Sequence, residues 1–145
     1  MRDRDGRHII LHGVNVVYKI PPYIPSQDTF DPENSLSDKD IDDLVQWGFN
    51  FVRLGVNWDS VETAPGAYNA TYLDEIDKLI NKLGAAGLYT LVDAHQDVGA
   101  RMMCGEGFPN FYARDVVKQK TPEGAASPVC LHNSLDWLLR ASGGD

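Results

Sequence analysis

A parallel α/β fold is predicted by three features of this 145-residue chain: three apolar stretches of strand length, two amphipathic stretches of helix length between them, and polar side chains just past each apolar stretch. Strands joined through helices must run parallel, with right-handed crossovers. In such sheets ligands bind beyond the carboxyl ends of the strands, where the polar residues fall here.

The first strand is read from Ile9-Ile10-Leu11 and Val14 to Val17, which bracket His12-Gly13 as a polar interruption. Pro21, Pro22 and Pro25 then force an extended loop to about Asn34. Ser37 followed by Asp40 is a capping signal for a helix whose apolar face is Ile41, Leu44 and Val45 and which ends near Gly48. Phe49 to Val56 reads as the second strand, and Pro65-Gly66 as a turn. Leu73, Ile76, Leu79, Ile80 and Leu83 recur at helical spacing until Gly84 and Gly87. Leu88 to Val92 reads as a third, buried strand that stops in Asp93-Ala94-His95-Gln96-Asp97. Beyond it come a tight loop at 104–109, a helix start at Phe111 to Lys118, a loop composition from Lys120 to Pro128, and Leu135, Leu138 and Leu139 at helical spacing.

Composition narrows the function classes. A hydrophobic content of 43% suits a folded domain, and the formal charge of −8, without a cluster of Lys and Arg, argues against nucleic acid as a partner. No apolar stretch approaches the ~20 residues of a membrane span. Met1 to Ile10 carries charges where a signal peptide needs apolar residues, so no export signal is expected in the chain as given, and its location stays open. Cys104 and Cys130 permit one disulfide or two thiols, and Asn69-Ala70-Thr71 matches the glycosylation sequon, which matters only in a secreted protein.

The chemistry concentrates at the strand ends. Asp93, His95 and Asp97 would share one face of a straight strand, about 7 Å between successive members, a spacing that suits a ligand or a metal. The plainer reading makes Asp93 a strand cap and His95 a hydrogen-bonded core histidine. Asn15 to Lys19 follow the first strand, and Asn57 and Trp58 the second.

These residues form recognisable motifs. Asp5-Gly6-Arg7, His12-Gly13-Val14-Asn15 with Lys19 and Pro21-Pro22-Tyr23, Trp47-Gly48-Phe49-Asn50 running to Arg53 and Trp58, Pro65-Gly66-Ala67-Tyr68, Asp93 to Asp97 and Cys104-Gly105-Glu106-Gly107-Phe108-Pro109 occur in order. Together they resemble family 5 glycoside hydrolases, in particular the endoglycoceramidase-like branch. The resemblance implies the N-terminal portion, about three βα units, of a (β/α)8 barrel. It also implies hydrolysis of β-glycosidic bonds, with retention, between a sugar and the lipid of a glycosphingolipid or related glycolipid. No cofactor is implied.

Retention needs two carboxyl groups about 5 Å apart. In the family both are glutamates at the ends of strands four and seven, and no Asn-Glu pair follows His95 here. Both are therefore expected beyond Asp145. A full barrel needs ~250 residues. Residues 1–145 are thus expected to be a partial catalytic domain truncated before strand four, with a weakly family-like tail at 120–145. Such a piece would be inactive alone, with an unpaired edge at its third strand and the C-terminal part of its own barrel as a missing partner.

Carried over by position, Arg53 resembles the strand-two arginine that helps keep the nucleophile ionised, with a structural ion pair as the alternative. His95 matches the histidine that holds a sugar hydroxyl or orients the catalytic pair. His12 and Asn15 read either as support for the site from the first strand or as buried hydrogen-bonding residues. Lys19, Gln96 and Asp97 match contacts to a glycolipid or oligosaccharide, and Trp58 would stack on a sugar or lipid face unless it packs in the core. Glu62 and Glu106 are read as solvated loop glutamates without catalytic roles. Two other readings are a metal-dependent hydrolase using His12, Asp93, His95 and Asp97, and a non-catalytic, glycan-binding barrel fragment.

Overall fold

The structure, a computed structural model, describes residues 1–114. The expected loop at 120–128, the helical leucines at 135–139, the tail and Cys130 lie outside the described residues. In chain order the elements are β1 (Gly13–Val16), α1 (Asp38–Gln46), β2 (Phe51–Asn57), α2 (Trp58–Val61), β3 (Glu62–Ala64), β4 (Ala67–Tyr68), α3 (Ala70–Ala85) and β5 (Tyr89–His95), followed by a 3-10 turn at Arg101–Met103. Residues 110–114 are helical, in line with the helix start read from Phe111.

β2 is the centre of a three-stranded sheet of order β1-β2-β5, and β1 pairs with it in parallel, Gly13 opposite Phe51 through Val16 opposite Leu54. The α/β class with a parallel sheet is as expected. The first strand is shorter than the sequence suggested, because the side chain of Asn50 occupies the backbone groups just before it. Asn50 Nδ2 donates to the Ile10 carbonyl at 2.9 Å, and its Oδ1 accepts from the His12 N–H at 2.9 Å. A side-chain amide thus stands in for a strand partner.

α1 starts as its capping residues require. The Ser37 N–H and hydroxyl both donate to Asp40 Oδ2, at 2.7 and 2.8 Å. Ile41 and Leu44 are buried, whereas Val45, assigned above to the apolar face, is 44% exposed. Val45, four residues after Ile41 and so about 40° round the helix from it, falls just outside the stripe that Ile41 and Leu44 bury. α3 runs through Gly84, so that glycine does not end it, and the chain turns instead at Gly87, with φ +84°. α2 and the β3–β4 hairpin were not read from the sequence. Elements of four, three and two residues carry no period to detect.

β5 departs most from expectation. It extends three residues past Val92, and it is not buried: Leu91 and Val92 are 50% and 51% exposed. It is an edge strand among the described residues, as a partial barrel implies.

The chain divides into two compact units, residues 1–56 with 73–93, and residues 57–72 with those from 94 onward. The first has an apolar core in which Val52, Leu54, Leu79 and Leu83 are at most 1% exposed, joined by Ile41 and Ile76. Burying each such side chain favours folding by roughly 1.5–3 kcal/mol. The second buries the polar groups of Asn57, Ser60 and Glu62 beside the smaller apolar residues Ala100, Pro109 and Ala113. Its Tyr72 is buried, and loss of solvent pushes the phenol up to about 12.

Candidate functional site

In the first unit the sheet register sets Arg53 of β2 beside Asn15 of β1. Arg53 Nη1 donates to Asn15 Oδ1 at 2.6 Å, and Nη2 meets Asp93 Oδ2 of β5 at 2.6 Å. Three strands are thereby tied across one face by a guanidinium between an amide and a carboxylate. The structural ion pair held open for Arg53 is present, and its partner is Asp93. His12 is exposed, with its ring 4.6 Å from that of Phe49, and Lys19 and Asn15 are exposed as well.

In the second unit the His95 side chain is only 10% exposed. Its Nε2 lies 3.3 Å from Asp97 Oδ2 and 3.9 Å from Glu106 Oε1. β5 stops at His95, so Asp97 does not reach this position as the next residue of a straight strand. It is fixed instead by a two-residue antiparallel bridge: the Asp97 N–H donates to the Glu106 carbonyl at 3.0 Å and the Glu106 N–H to the Asp97 carbonyl at 2.9 Å.

The flanking glycines permit this approach. A Cβ on Gly105 would lie 2.1 Å from the Asp97 carbonyl oxygen, and one on Gly107, whose φ is +104°, would lie 2.3 Å from the His95 carbonyl oxygen. No other residue type fits either place without moving backbone. The Gly-Glu-Gly triplet therefore exists to press Glu106 against the end of β5. Glu106 is not the solvated loop residue the sequence suggested, and glycines on both sides of it were the signal. Gln96 is turned to local use, its Oε1 accepting from the Gly99 N–H at 3.2 Å.

Glu62 is the second correction. It is 4% exposed, and its carboxylate accepts from Trp58 Nε1 at 2.6 Å, the Gly66 N–H at 2.7 Å and the Tyr112 hydroxyl at 2.9 Å. The Gly66 N–H, aided by the indole and the phenol, holds the Glu62 carboxyl below the usual carboxylate range against the opposing effect of burial. The same bond raises the Tyr112 phenol. Trp58 packs on Phe108 and Tyr112, with ring centroids 4.9 and 5.2 Å away, so its polar edge is committed while one part of the ring stays accessible. The i, i+4 spacing of Trp58 and Glu62 within a short helical turn could have flagged the pair.

Chemically, a sheltered imidazole between two carboxylates can accept, donate and share protons with hydroxyl groups. The donor atoms of His95, Asp97 and Glu106 all lie within 4.8 Å of one another, and such a mixed set also suits a divalent cation. The metal set anticipated from sequence is not the one assembled: Asp93 is paired with Arg53, His12 packs on Phe49, and Glu106 takes a place beside His95 and Asp97. Cys104 is disulfide-bonded.

The sequence profile described as Cellulase (glycosyl hydrolase family 5) matches residues 4–123. Endoglycoceramidase I of Rhodococcus hoagii (strain 103S) is 40% identical over 109 residues, which are 75% of this chain and 21% of that protein. The endoglycoceramidase of Cyanea nozakii is 41% identical over 109 residues, 75% of this chain and 22% of the relative. Among solved structures, endo-glycoceramidase II from Rhodococcus sp. in its five-membered iminocyclitol complex superposes with a TM-score of 0.63 at 25% identity, covering 98% of this chain and 33% of that one. The chain spans about a fifth of the length of the curated relatives it matches.

Proposed function

Since the chain belongs to glycosyl hydrolase family 5, we propose that its three strands are the substrate-holding part of a (β/α)8 barrel that hydrolyses β-glycosidic bonds, with retention, in glycosphingolipids or related glycolipids. Residues 1–145 then form a partial catalytic domain ahead of barrel strand four. The acid/base and nucleophile glutamates lie beyond Asp145.

The observation that carries this reading is the sheltered His95 beside Asp97 and Glu106 at the end of β5. Carboxylates and an imidazole at a strand end are suited to sugar hydroxyls, whose O–H groups need acceptors of fixed direction. Asp97, Lys19 and the amide nitrogen of Gln96, whose oxygen is held by Gly99, take the hydroxyl contacts, and the accessible part of Trp58 takes an apolar sugar or lipid face. Arg53, His95, His12 and Asn15 support the site, Arg53 through the Asp93 pair that fixes its guanidinium.

The test is hydrolysis of a fluorescent glucosylceramide by the full-length protein that contains these residues, beside the 145-residue chain alone. Turnover is expected from the full-length protein only, with a raised KM in its D97A variant. Turnover by the 145-residue chain would overturn the location of the glutamates, and cleavage of cello-oligosaccharides with none of glycolipid would overturn the substrate class. The grouping of His95, Asp97 and Glu106 favours one second reading, a metal-dependent hydrolase, which abolition of activity by a chelator would support.

A further inference from the structure

We propose that Asn69 carries an N-linked glycan, added as the chain passes through the oxidising lumen of the secretory pathway. Three independent observations converge on it. The sequence Asn69-Ala70-Thr71 is an acceptor sequon with no proline in its middle position. The local structure leaves the reacting atom available: Asn69 precedes the first residue of α3, and its Oδ1 accepts from the Tyr72 N–H at 3.1 Å. Its backbone N–H donates to the Val61 carbonyl at 2.8 Å.

The cap thus uses the oxygen of the amide and leaves the nitrogen, which diverges from it, without a partner among the described residues. Ala67, Ala70 and Thr71 around it are exposed, as is Tyr68 at 67%. A sugar on Nδ2 and the helix cap on Oδ1 can therefore coexist. The third observation is that Cys104 is disulfide-bonded and no described cysteine is free. Disulfides persist in oxidising compartments, the ER lumen among them, and are rare in the cytosol.

The step requires an oligosaccharyl diphosphate lipid as donor. The Nδ2–C1 bond forms, the C1–O bond to the diphosphate breaks, the lipid diphosphate leaves with the electron pair, and one Nδ2 proton passes to a base of the transferase. This inference is independent of the proposed glycosidase activity, since neither uses the other's residues.

Peptide mapping of the full-length protein, purified from the cells that naturally make it, tests the proposal. The peptide containing Asn69 is expected to carry an oligosaccharide that a peptide-N-glycosidase removes, leaving aspartate at position 69. In secreted recombinant protein, the peptide containing position 69 is expected to lose its oligosaccharide in T71A and N69D and to keep it in T71S. N69D retains the cap oxygen, so its thermal midpoint should match that of the enzymatically deglycosylated protein. An unmodified Asn69 peptide in the natural protein, or a position-69 peptide that stays glycosylated in T71A, would overturn the assignment.

Discussion

The two units of this chain are stabilised by different physics. Residues 1–56 with 73–93 rest on Val52, Leu54, Leu79 and Leu83, side chains that exclude water and require no particular partner. Residues 57–72 with those from 94 onward rest on groups that demand particular partners: a buried Glu62 with three donors, and a bridge at Asp97 and Glu106 that only glycine neighbours allow. Apolar burial is non-directional and tolerates exchange of one aliphatic residue for another. Directional polar contacts do not, and they hold side chains in the fixed geometry that the proposed recognition of a sugar would require.

Substitutions sharpen that contrast. The largest effect is expected for Leu79→Ala, a loss of roughly 2–5 kcal/mol in chemical denaturation, because a fully buried leucine leaves a cavity. If Leu79→Ala cost no more than a surface change, the apolar account of the first unit would fail. Gly107→Ala should cost about 1–3 kcal/mol for its left-handed backbone alone. It should also release the Asp97–Glu106 bridge, read as faster amide exchange at Asp97 and Glu106 with little change at Val52 and Leu54. Uniform exchange across both units would contradict their separateness.

A smaller and pH-dependent effect is expected at Glu62. Its folded pKa lies below the ordinary value of 4.5, so its ionised form contributes stability that is complete above about pH 4.5 and is lost as the pH falls through the folded value. The stability difference between the wild type and Glu62→Gln, measured by denaturation at successive pH values, should therefore shrink on acidification. A constant difference would assign Glu62 a purely steric role.

The smallest stability effect is expected at Arg53→Lys. The Arg53–Asp93 pair is partly solvated, so the change should be under about 1 kcal/mol. The glycosidase turnover proposed for the full-length protein should nonetheless fall about tenfold or more, since an ammonium cannot hold Asn15 and Asp93 in the same fork. Turnover unchanged in this variant would leave Arg53 with its ion pair alone.

The same contrast explains what could be read from the sequence. Ile76, Leu79 and Leu83 recur at the helical period because one face of α3 must be apolar along its length, and Ser37 with Asp40 announces a helix start. These are local or periodic rules, and the α/β fold followed from them. The limits of β1 depended on Asn50, whose side chain meets Ile10 and His12 forty residues or so away in sequence. Leu91 and Val92 read as buried from their apolarity, while their exposure depends on what lies beside β5.

The site was half legible for the same reason. His95, Asp97 and Arg53 stood at strand ends, where polar residues after an apolar run draw notice. Glu62 and Glu106 looked like ordinary loop glutamates, because their partners, Tyr112 for one and the β5 terminus for the other, are brought in by the fold. Neither partner is marked by any sequence interval.

The bond from the Trp58 indole to Glu62 also gives the molecule an intrinsic optical gauge. Indole emission responds to the charge on a hydrogen-bonded neighbour, so the protonation of one interior carboxyl group is written into the colour and yield of one fluorophore. Trp47, on the other unit and largely in water, supplies a reference that does not share this neighbour. With Trp137, the third tryptophan of the sequence, replaced by phenylalanine, the ratio of the two signals recorded against pH would follow a single proton in a chain that holds 21 acidic side chains.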